Sequence, residues 1–291
     1  MAVCNAVIIL NFNSSEATSR LALEIVNYSC ADKIVIVDNC STDDSFENLS
    51  ELARERIDVI RTERNGGYAY GNNYGCKYAI ERYTPEYLTI ANPDISFTEH
   101  TLTTMLEQCR STKKCGAVGC MMNSQSSIKI PSAWREQNYW DCIRENLILL
   151  KKILGDSKLY SREYFEKAVV EVDAVAGSFF CIGSEVFRAC GGFDEGTFLY
   201  YEETILAKRL HRIGCRNYLI TKICYEHLHS ESIDRAYEKK KRLDLAYKSR
   251  RYYMEKYLKA GKVGLIVSDV TYVVGRMDYL VMDRVRGKIF R

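Results

Sequence analysis

The sequence predicts an α/β fold with a Rossmann-like, mainly parallel central sheet flanked by helices, and three observations predict it. Short β-branched runs alternate with longer mixed segments through the first third of the chain, which is the pattern of successive βαβ units. The first two of these runs end in short polar segments, as strands do where an open parallel sheet presents its carboxyl edge to ligands. Hydrophobic residues make up 47% of 291 positions, ample for one large core or two modest ones.

Strands are expected at Ala6 to Leu10, Lys33 to Val37, Val59 to Thr62 and Tyr87 to Ala91. Between the first two, Ala17, Leu21, Leu23, Ile25 and Val26 fall at helical spacing within Ser15 to Tyr28, and Ser14 or Ser15 can cap the start. Further helices are expected over Thr42 to Glu55 and His100 to Ser111, with a strand at Gly116 to Met122. The stretch from Asn123 to Lys167 carries both tryptophans and a helix-like Leu147-Ile148-Leu149-Leu150 run, but little motif character. Val170 to Ile182 is strand-like. A helix at Ser184 to Cys190 should stop at Gly191-Gly192, and another at Tyr201 to Ile213 should stop at Gly214.

Five loops carry candidate chemistry. The first two strands run into Asn11-Phe12-Asn13 and Asp38-Asn39-Cys40-Ser41-Thr42, where Asp38 could accept hydrogen bonds from a ribose or base; a turn and helix-cap role explains these residues equally well. After the third strand comes Asn65-Gly66-Gly67-Tyr68-Ala69-Tyr70-Gly71-Asn72-Asn73-Tyr74-Gly75, whose four glycines and three asparagines suggest close backbone approach to something. It is neither a P-loop nor a dinucleotide fingerprint. The fourth strand enters Asn92-Pro93-Asp94, which places a carboxylate where a divalent cation could neutralise a departing diphosphate. An ordinary turn is the alternative. Finally, Gly191-Gly192-Phe193-Asp194-Glu195-Gly196-Thr197-Phe198-Leu199-Tyr200-Tyr201-Glu202-Glu203 mixes acids with large aromatics; carboxylates beside buried rings gain proton affinity, as a general base requires.

Taken in order, these segments resemble the inverting family-2 glycosyltransferases of GT-A fold, in particular the rhamnosyltransferase-like branch of bacterial surface-polysaccharide enzymes. The resemblance covers roughly residues 5 to 230 and rests on VIILNFNS, VIVDNCSTDDS, NGGYAYGNNYG, NPDI, AGSFFCI, GGFDEGTFLYYEE and a late histidine. It implies nucleoside contact by Asp38, with Asn11, Asn13, Asn65 and Gly66 nearby, and Mg²⁺ or Mn²⁺ held by Asp94. Asn92 stands where many members have the first Asp of a DXD motif. The implied base is Glu203, with Glu202 second; position 203 is commonly Asp in the family, and Ile205 stands where a further Asp is frequent. His227 or His229 implies a contact with metal or diphosphate, and His227 is preferred. The implied organisation is a nucleotide-sugar half at 1–115, an acceptor-side and catalytic half at 116–234 and a basic helical tail at 235–291. The implied donors are dTDP- or UDP-linked sugars, and the implied acceptors are glycans or lipid-diphosphate-linked glycans.

The net charge of +3 hides an asymmetry: from Arg235 to Arg291 there are sixteen Lys/Arg against six Asp/Glu, so the tail is basic and the body acidic. Aromatic and aliphatic residues interleave with those cations, predicting one or two amphipathic helices whose apolar stripe packs on the domain and whose basic side faces out; that side could lie on an anionic membrane surface, be a plain solvated face or join two copies of the chain. No run is long and apolar enough to span a bilayer, and no secretory leader is evident, so a cytoplasmic protein, at most peripheral to the inner face of the cell membrane, is expected. The 12 cysteines form no CxxC pair and read as reduced core thiols. Nucleic acid is not expected as a partner, because the acidic body lacks any known nucleic-acid-binding motif. A sugar nucleotidyltransferase would carry a basic glycine-rich loop after the first strand, and a processive synthase would carry membrane spans; neither feature is present. A catalytically inactive sugar-nucleotide-binding scaffold is the remaining alternative.

Overall fold

The computed structural model describes residues 4–123, 129–147, 153, 155–228 and 239–289; His229 and most of the 147–150 run lie outside them. A parallel block opens the chain: β1 (Asn5–Asn11), β2 (Lys33–Asp38), β3 (Ile57–Arg61) and β4 (Tyr87–Ala91) lie in the order β3-β2-β1-β4. Beyond β4 the sheet continues through β11 (Phe179–Gly183), β6 (Cys115–Asn123), β12 (Arg216–His227) and the two-residue β5 (Ile95–Ser96). Strand β11 runs antiparallel to both neighbours, whereas β6 and β12 are parallel to each other. Short strands β7 (Lys129–Ile130) and β9 (Val169–Val172) attach to β6 and β12, and β8 (Ala133–Trp134) pairs with β10 (Ala174–Val175) as a separate ribbon.

Both faces of the sheet are covered, which is why its inner strands read as continuous apolar runs rather than alternating ones. Val7, Ile9, Ile34 and Ile36 pack under α1 (Ser15–Ile25), α2 (Ser45–Ser50) and α4 (Glu99–Ser111). Ala6, Ile8, Val35 and Val37 face α3 (Tyr68–Tyr83), and the same layer continues through α6 (Ser184–Ala189) and α7 (Glu202–Arg212). Gly71 and Gly75 let α3 lie against β1 and β2, since a Cβ at Gly75 would stand 2.5 Å from Val37 Cγ2.

Three expectations change in detail. The helix expected over Thr42 to Glu55 is confined to Ser45–Ser50, because the chain tightens into three-residue turns at Leu52 and Ala53 before the Arg54–Ile57 bridge. The single strand expected over Val170 to Ile182 is three strands with different partners, broken at Asp173, whose carboxylate accepts from the Glu136 amide and whose carbonyl accepts from Asn217. The long β12 is absent from the sequence-based expectation; its bulge between Ile220 and Cys224 disrupts the alternation that would have revealed it. All 12 cysteines are free thiols and seven are buried, in keeping with their reading as core fillers.

The basic tail forms α8 (Lys239–Lys256) and α9 (Lys262–Ile289) and is docked on the domain. Tyr253, Met254, Tyr257 and Leu265 form a third core with Ile205 of α7 and with Cys142 and Ile143 of α5 (Tyr139–Asn146). Asn146 Nδ2 donates to Ser268 Oγ at 3.3 Å and to Thr271 Oγ1 at 3.0 Å, and the rings of Tyr247 and Tyr272 stack at 3.8 Å.

Candidate active site

The register of β1 on β2 places Asn11 opposite Asp38 at the carboxyl edge of the sheet. Asp38 is 0% exposed, and its Oδ1 accepts from Asn11 Nδ2 at 3.0 Å and from Ser41 Oγ at 2.5 Å. The Ser41 amide and Arg61 Nε reach its other oxygen at 3.1 and 3.3 Å. Asp38 therefore organises the loop from within. Asn13 is exposed beside it, with left-handed backbone, and exchanges hydrogen bonds with Thr42 at 2.9 and 3.0 Å. Asn39 extends the network, since its Nδ2 donates to Asn65 Oδ1 at 3.1 Å, and Asn65 in turn accepts from the Gly67 amide at 3.1 Å.

The glycine- and asparagine-rich segment does something the sequence alone did not reveal: it docks the late aromatic-acidic loop. The Tyr68 amide donates to Phe198 O at 3.0 Å, and Asn73 both donates to Phe193 O and accepts from its amide at 3.0 and 2.9 Å. Gly67 has φ +88°, and a Cβ there would stand 2.1 Å from Phe198 O, so only glycine lets the two segments meet. At Gly66 a Cβ would collide with the Tyr70 ring.

Strand β4 delivers Asn92, Pro93 and Asp94. Asp94 is 8% exposed, and β12 brings His227 to it: Nε2 lies 3.4 Å from Asp94 Oδ1, while the Leu228 amide donates to Asp94 O at 2.9 Å. A carboxylate and an imidazole so placed suit a cation whose remaining ligands come from a diphosphate and water, the usual manner of binding Mg²⁺ at phosphates. Among the described residues no group of three or more His, Cys, Asp or Glu could hold a metal by itself. Those two residues thus fit a cation that draws its other ligands from elsewhere.

Glu202 and Glu203 open α7. Helix α7 begins one residue later than expected, because Tyr200 and Tyr201 are both left-handed, at φ 71° and 72°. Such backbone costs about 1–3 kcal/mol per residue and persists only where surroundings over-determine it. Glu203 is half-buried, and its Oε1 accepts from the Gly177 amide at 3.2 Å; Tyr68 Oη donates to the Gly177 carbonyl at 2.6 Å. Burial raises the Glu203 carboxyl above its ordinary 4.5, against the opposing pull of its own and the Gly177 amide. Glu202 is 2% exposed with Oε1 unpartnered among the described residues, and burial, then the Glu203 charge, pushes it well up. Ile205 is fully buried in the third core.

One two-residue segment joins Glu203 to the Asp94 turn. Gly177 holds Glu203, and the next residue, Ser178, accepts from the Asn92 amide at 2.8 Å through its carbonyl. The helix that carries Glu203 and the Asp94 turn are thereby fixed on the same piece of backbone ahead of β11. Sequence reasoning singled out the loop that holds Tyr68 and Asn73 but not their docking role, and only the AGSFFCI motif hinted at Gly177.

The raised Glu202 carboxyl has a signed consequence. A folded-state pKa above the unfolded one means stability is lost as pH rises through that window. Glu202→Gln, which cannot ionise, is expected to melt above the wild type at neutral pH, with the gap closing as pH falls toward 4.5. Calorimetry across pH checks this, and a Gln variant that melts lower at neutral pH would contradict it.

The sequence profile of Glycosyl transferase family 2 matches residues 6–168, more than half of the chain. A hexosyltransferase of low-salt glycan biosynthesis from Haloferax volcanii is 26% identical over 207 residues, covering 71% of this chain and 61% of that protein. Rhamnosyltransferase WbbL of Escherichia coli K12 is 25% identical over 153 residues, covering 52% and 56%. An N-acetylglucosaminyl-diphospho-decaprenol L-rhamnosyltransferase of Mycobacterium tuberculosis is 25% identical over 198 residues, covering 62% and 61%. The chain thus spans about three fifths of the length of these relatives. Among solved structures, the mannosyltransferase PcManGT of Pyrobaculum calidifontis with GDP-Man and Mn²⁺ superposes at TM-score 0.59 and 13% identity, over 99% of this chain and 81% of that one. GalNAc-T7 with UDP, GalNAc and Mn²⁺ gives 0.61 and 14%, over 78% and 44%. These likenesses establish the GT-A fold, and with the profile match they lead to one conclusion: the chain belongs to glycosyl transferase family 2.

Proposed function

We propose that the protein is an inverting glycosyltransferase that moves a hexose, rhamnose being the favoured one, from a dTDP- or UDP-linked donor to a glycan or lipid-diphosphate-linked acceptor of a surface polysaccharide. The observation that carries this reading is the shared Gly177-Ser178 anchor, which ties a carboxylate of raised proton affinity to a carboxylate–imidazole pair. Asp38, Asn11, Asn13 and Asn65 are assigned to the nucleoside side, with Gly66 and Asn92 beside them. Asp94 and His227 would hold Mg²⁺ or Mn²⁺. A metal bound there offsets charge on the diphosphate as it leaves. Glu203 takes the proton of an acceptor hydroxyl, whose oxygen attacks the anomeric carbon from the side opposite the diphosphate. One C–O bond forms as the other breaks, so the configuration inverts and no covalent enzyme intermediate arises.

A thermal-shift series of nucleoside diphosphates and sugar nucleotides, each with Mg²⁺ or Mn²⁺, tests the donor side, since a ligand that binds only the folded state raises its melting point. One nucleotide class should stabilise the protein only while metal is present. Uniform silence across dTDP, UDP and their sugars would refute the donor assignment.

For the tail we propose peripheral contact with the anionic inner face of the cell membrane. Helix α9 exposes Val263, Ile266, Val270, Val273 and Met277 at helical spacing, while its other sides are engaged by α5 and α8. No helix of the described residues is long and apolar enough to cross a membrane. Ile266→Asp with Val273→Asp should abolish co-sedimentation with phosphatidylserine-containing vesicles and leave melting unchanged. Undiminished sedimentation would refute this, and a wild-type dimer split by the same variant would reassign the face to a second copy of the chain.

A further inference from the structure

The left-handed Tyr200–Tyr201 pair stands immediately ahead of the two glutamates, so whatever holds that turn also sets the direction in which α7 starts. Most of what holds it comes from α8. Ser249 Oγ donates to Leu199 O at 2.7 Å, and Arg250 Nε donates to Tyr201 Oη at 3.0 Å. The Tyr201 ring packs on Tyr253, 5.5 Å between centroids. Arg250 is itself 8% exposed and is braced from behind by Asn146 Oδ1 and by Glu145.

A second set of contacts grips the other end of the loop through Asp194, which is 5% exposed. It accepts from Tyr252 Oη at 2.9 Å, Lys256 Nζ at 2.8 Å and Tyr257 Oη, all from α8 or its end, and Arg209 of α7 adds a contact at 3.2 Å. Burial alone would raise the Asp194 carboxyl, but Lys256, Tyr257 and their neighbours outweigh it and hold the group ionised, well below the usual carboxylate range. The loop is thus clamped at both ends by one helix that lies outside the segment matched by the family profile.

We propose that α8 is a positioning element for glycosyl transfer: Arg250 and Asp194 fasten the strained turn that aims Glu203, so the tail is part of the machinery of the site. The idea rests on Glu203 being the base. It also sets α8 apart from α9, whose exposed face is assigned above to the membrane.

The test compares the full chain with Arg250→Lys and with the milder double variant Ser249→Ala, Tyr252→Phe, which removes two clamping hydrogen bonds and keeps the rings. Amide exchange by NMR reads Gly177, whose N–H is held by Glu203, against Ile36 in the sheet core. The proposal expects Gly177 to exchange at least about tenfold faster in either variant while Ile36 keeps its protection. Hydrolysis of dTDP-rhamnose or UDP-glucose, read by release of the nucleoside diphosphate, should lose kcat with KM little changed, and its acid limb should move as the Glu203 environment loosens. Unchanged Gly177 exchange in both variants would overturn the proposal, as would equal loosening of Gly177 and Ile36, the mark of a merely structural role. Accelerated Gly177 exchange together with full turnover by Glu203→Gln would uphold the clamp and refute instead the assignment of the base.

Discussion

Glu203→Gln is expected to lower turnover by roughly 10²–10⁴-fold, the contribution typical of a positioned general base, with donor affinity nearly unchanged. The carboxamide is close in size to the carboxylate, and its oxygen can still accept from the Gly177 amide 3.2 Å away, so the anchor should survive. What disappears is the proton-accepting oxygen. Because burial raises the wild-type carboxyl above 4.5, activity should fall on acidification at a pH above that of an ordinary glutamate. The sign follows from the role: the base works only when ionised, and the protein makes ionisation harder. Steady-state release of nucleoside diphosphate together with isothermal titration of the donor separates the two effects. Near-wild-type turnover by the Gln variant would remove Glu203 from the reaction and turn attention to Glu202.

Asp94→Ala is expected to weaken metal-dependent donor binding by at least about 10–100-fold, the loss typical when only an outer-shell partner of a metal ligand is removed. The reason lies in the small number of protein donors. With His227 the only imidazole placed against Asp94 among the described residues, its loss leaves a single side chain to hold a cation that brings its own diphosphate. Calorimetry with and without EDTA gives the comparison: wild type should show a large chelator effect and the variant a small one. A variant that binds donor as the wild type does, with an undiminished chelator effect, would place the metal elsewhere.

How much of this was legible beforehand depended on whether a signal was local. Strands such as Tyr87–Ala91 were found because β-branched runs bounded by polar turns need no distant partner to be recognised. Asp94 and Glu203 were singled out because one follows a strand end and the other opens a helix, and the roles proposed for them came from the family resemblance. By contrast, Asn73 and Gly67 looked like parts of a ligand-cradling loop, and the structure shows them docking a segment more than a hundred residues away. Nothing in the spacing of NGGYAYG encodes that partner. For α8 the interleaved aromatics of Arg235 to Lys259 did predict an apolar stripe packed on the domain, as Tyr253 and Met254 are, but the ten cations there predicted a basic side facing outward, and Arg250 is buried instead. Charge counts report composition, while burial is decided by what the rest of the chain presents.

The central claim is that Asp94 and Glu203 flank one bound sugar nucleotide. A crystal of the protein with Mn²⁺ and a non-hydrolysable donor, measured at the manganese edge, tests this most directly. The account predicts an anomalous peak within about 2.5 Å of both the Asp94 carboxylate and a diphosphate oxygen, with the Glu203 carboxylate on the opposite side of the anomeric carbon. A peak remote from Asp94, or a sugar that leaves Glu203 on the same side as the diphosphate, would contradict it.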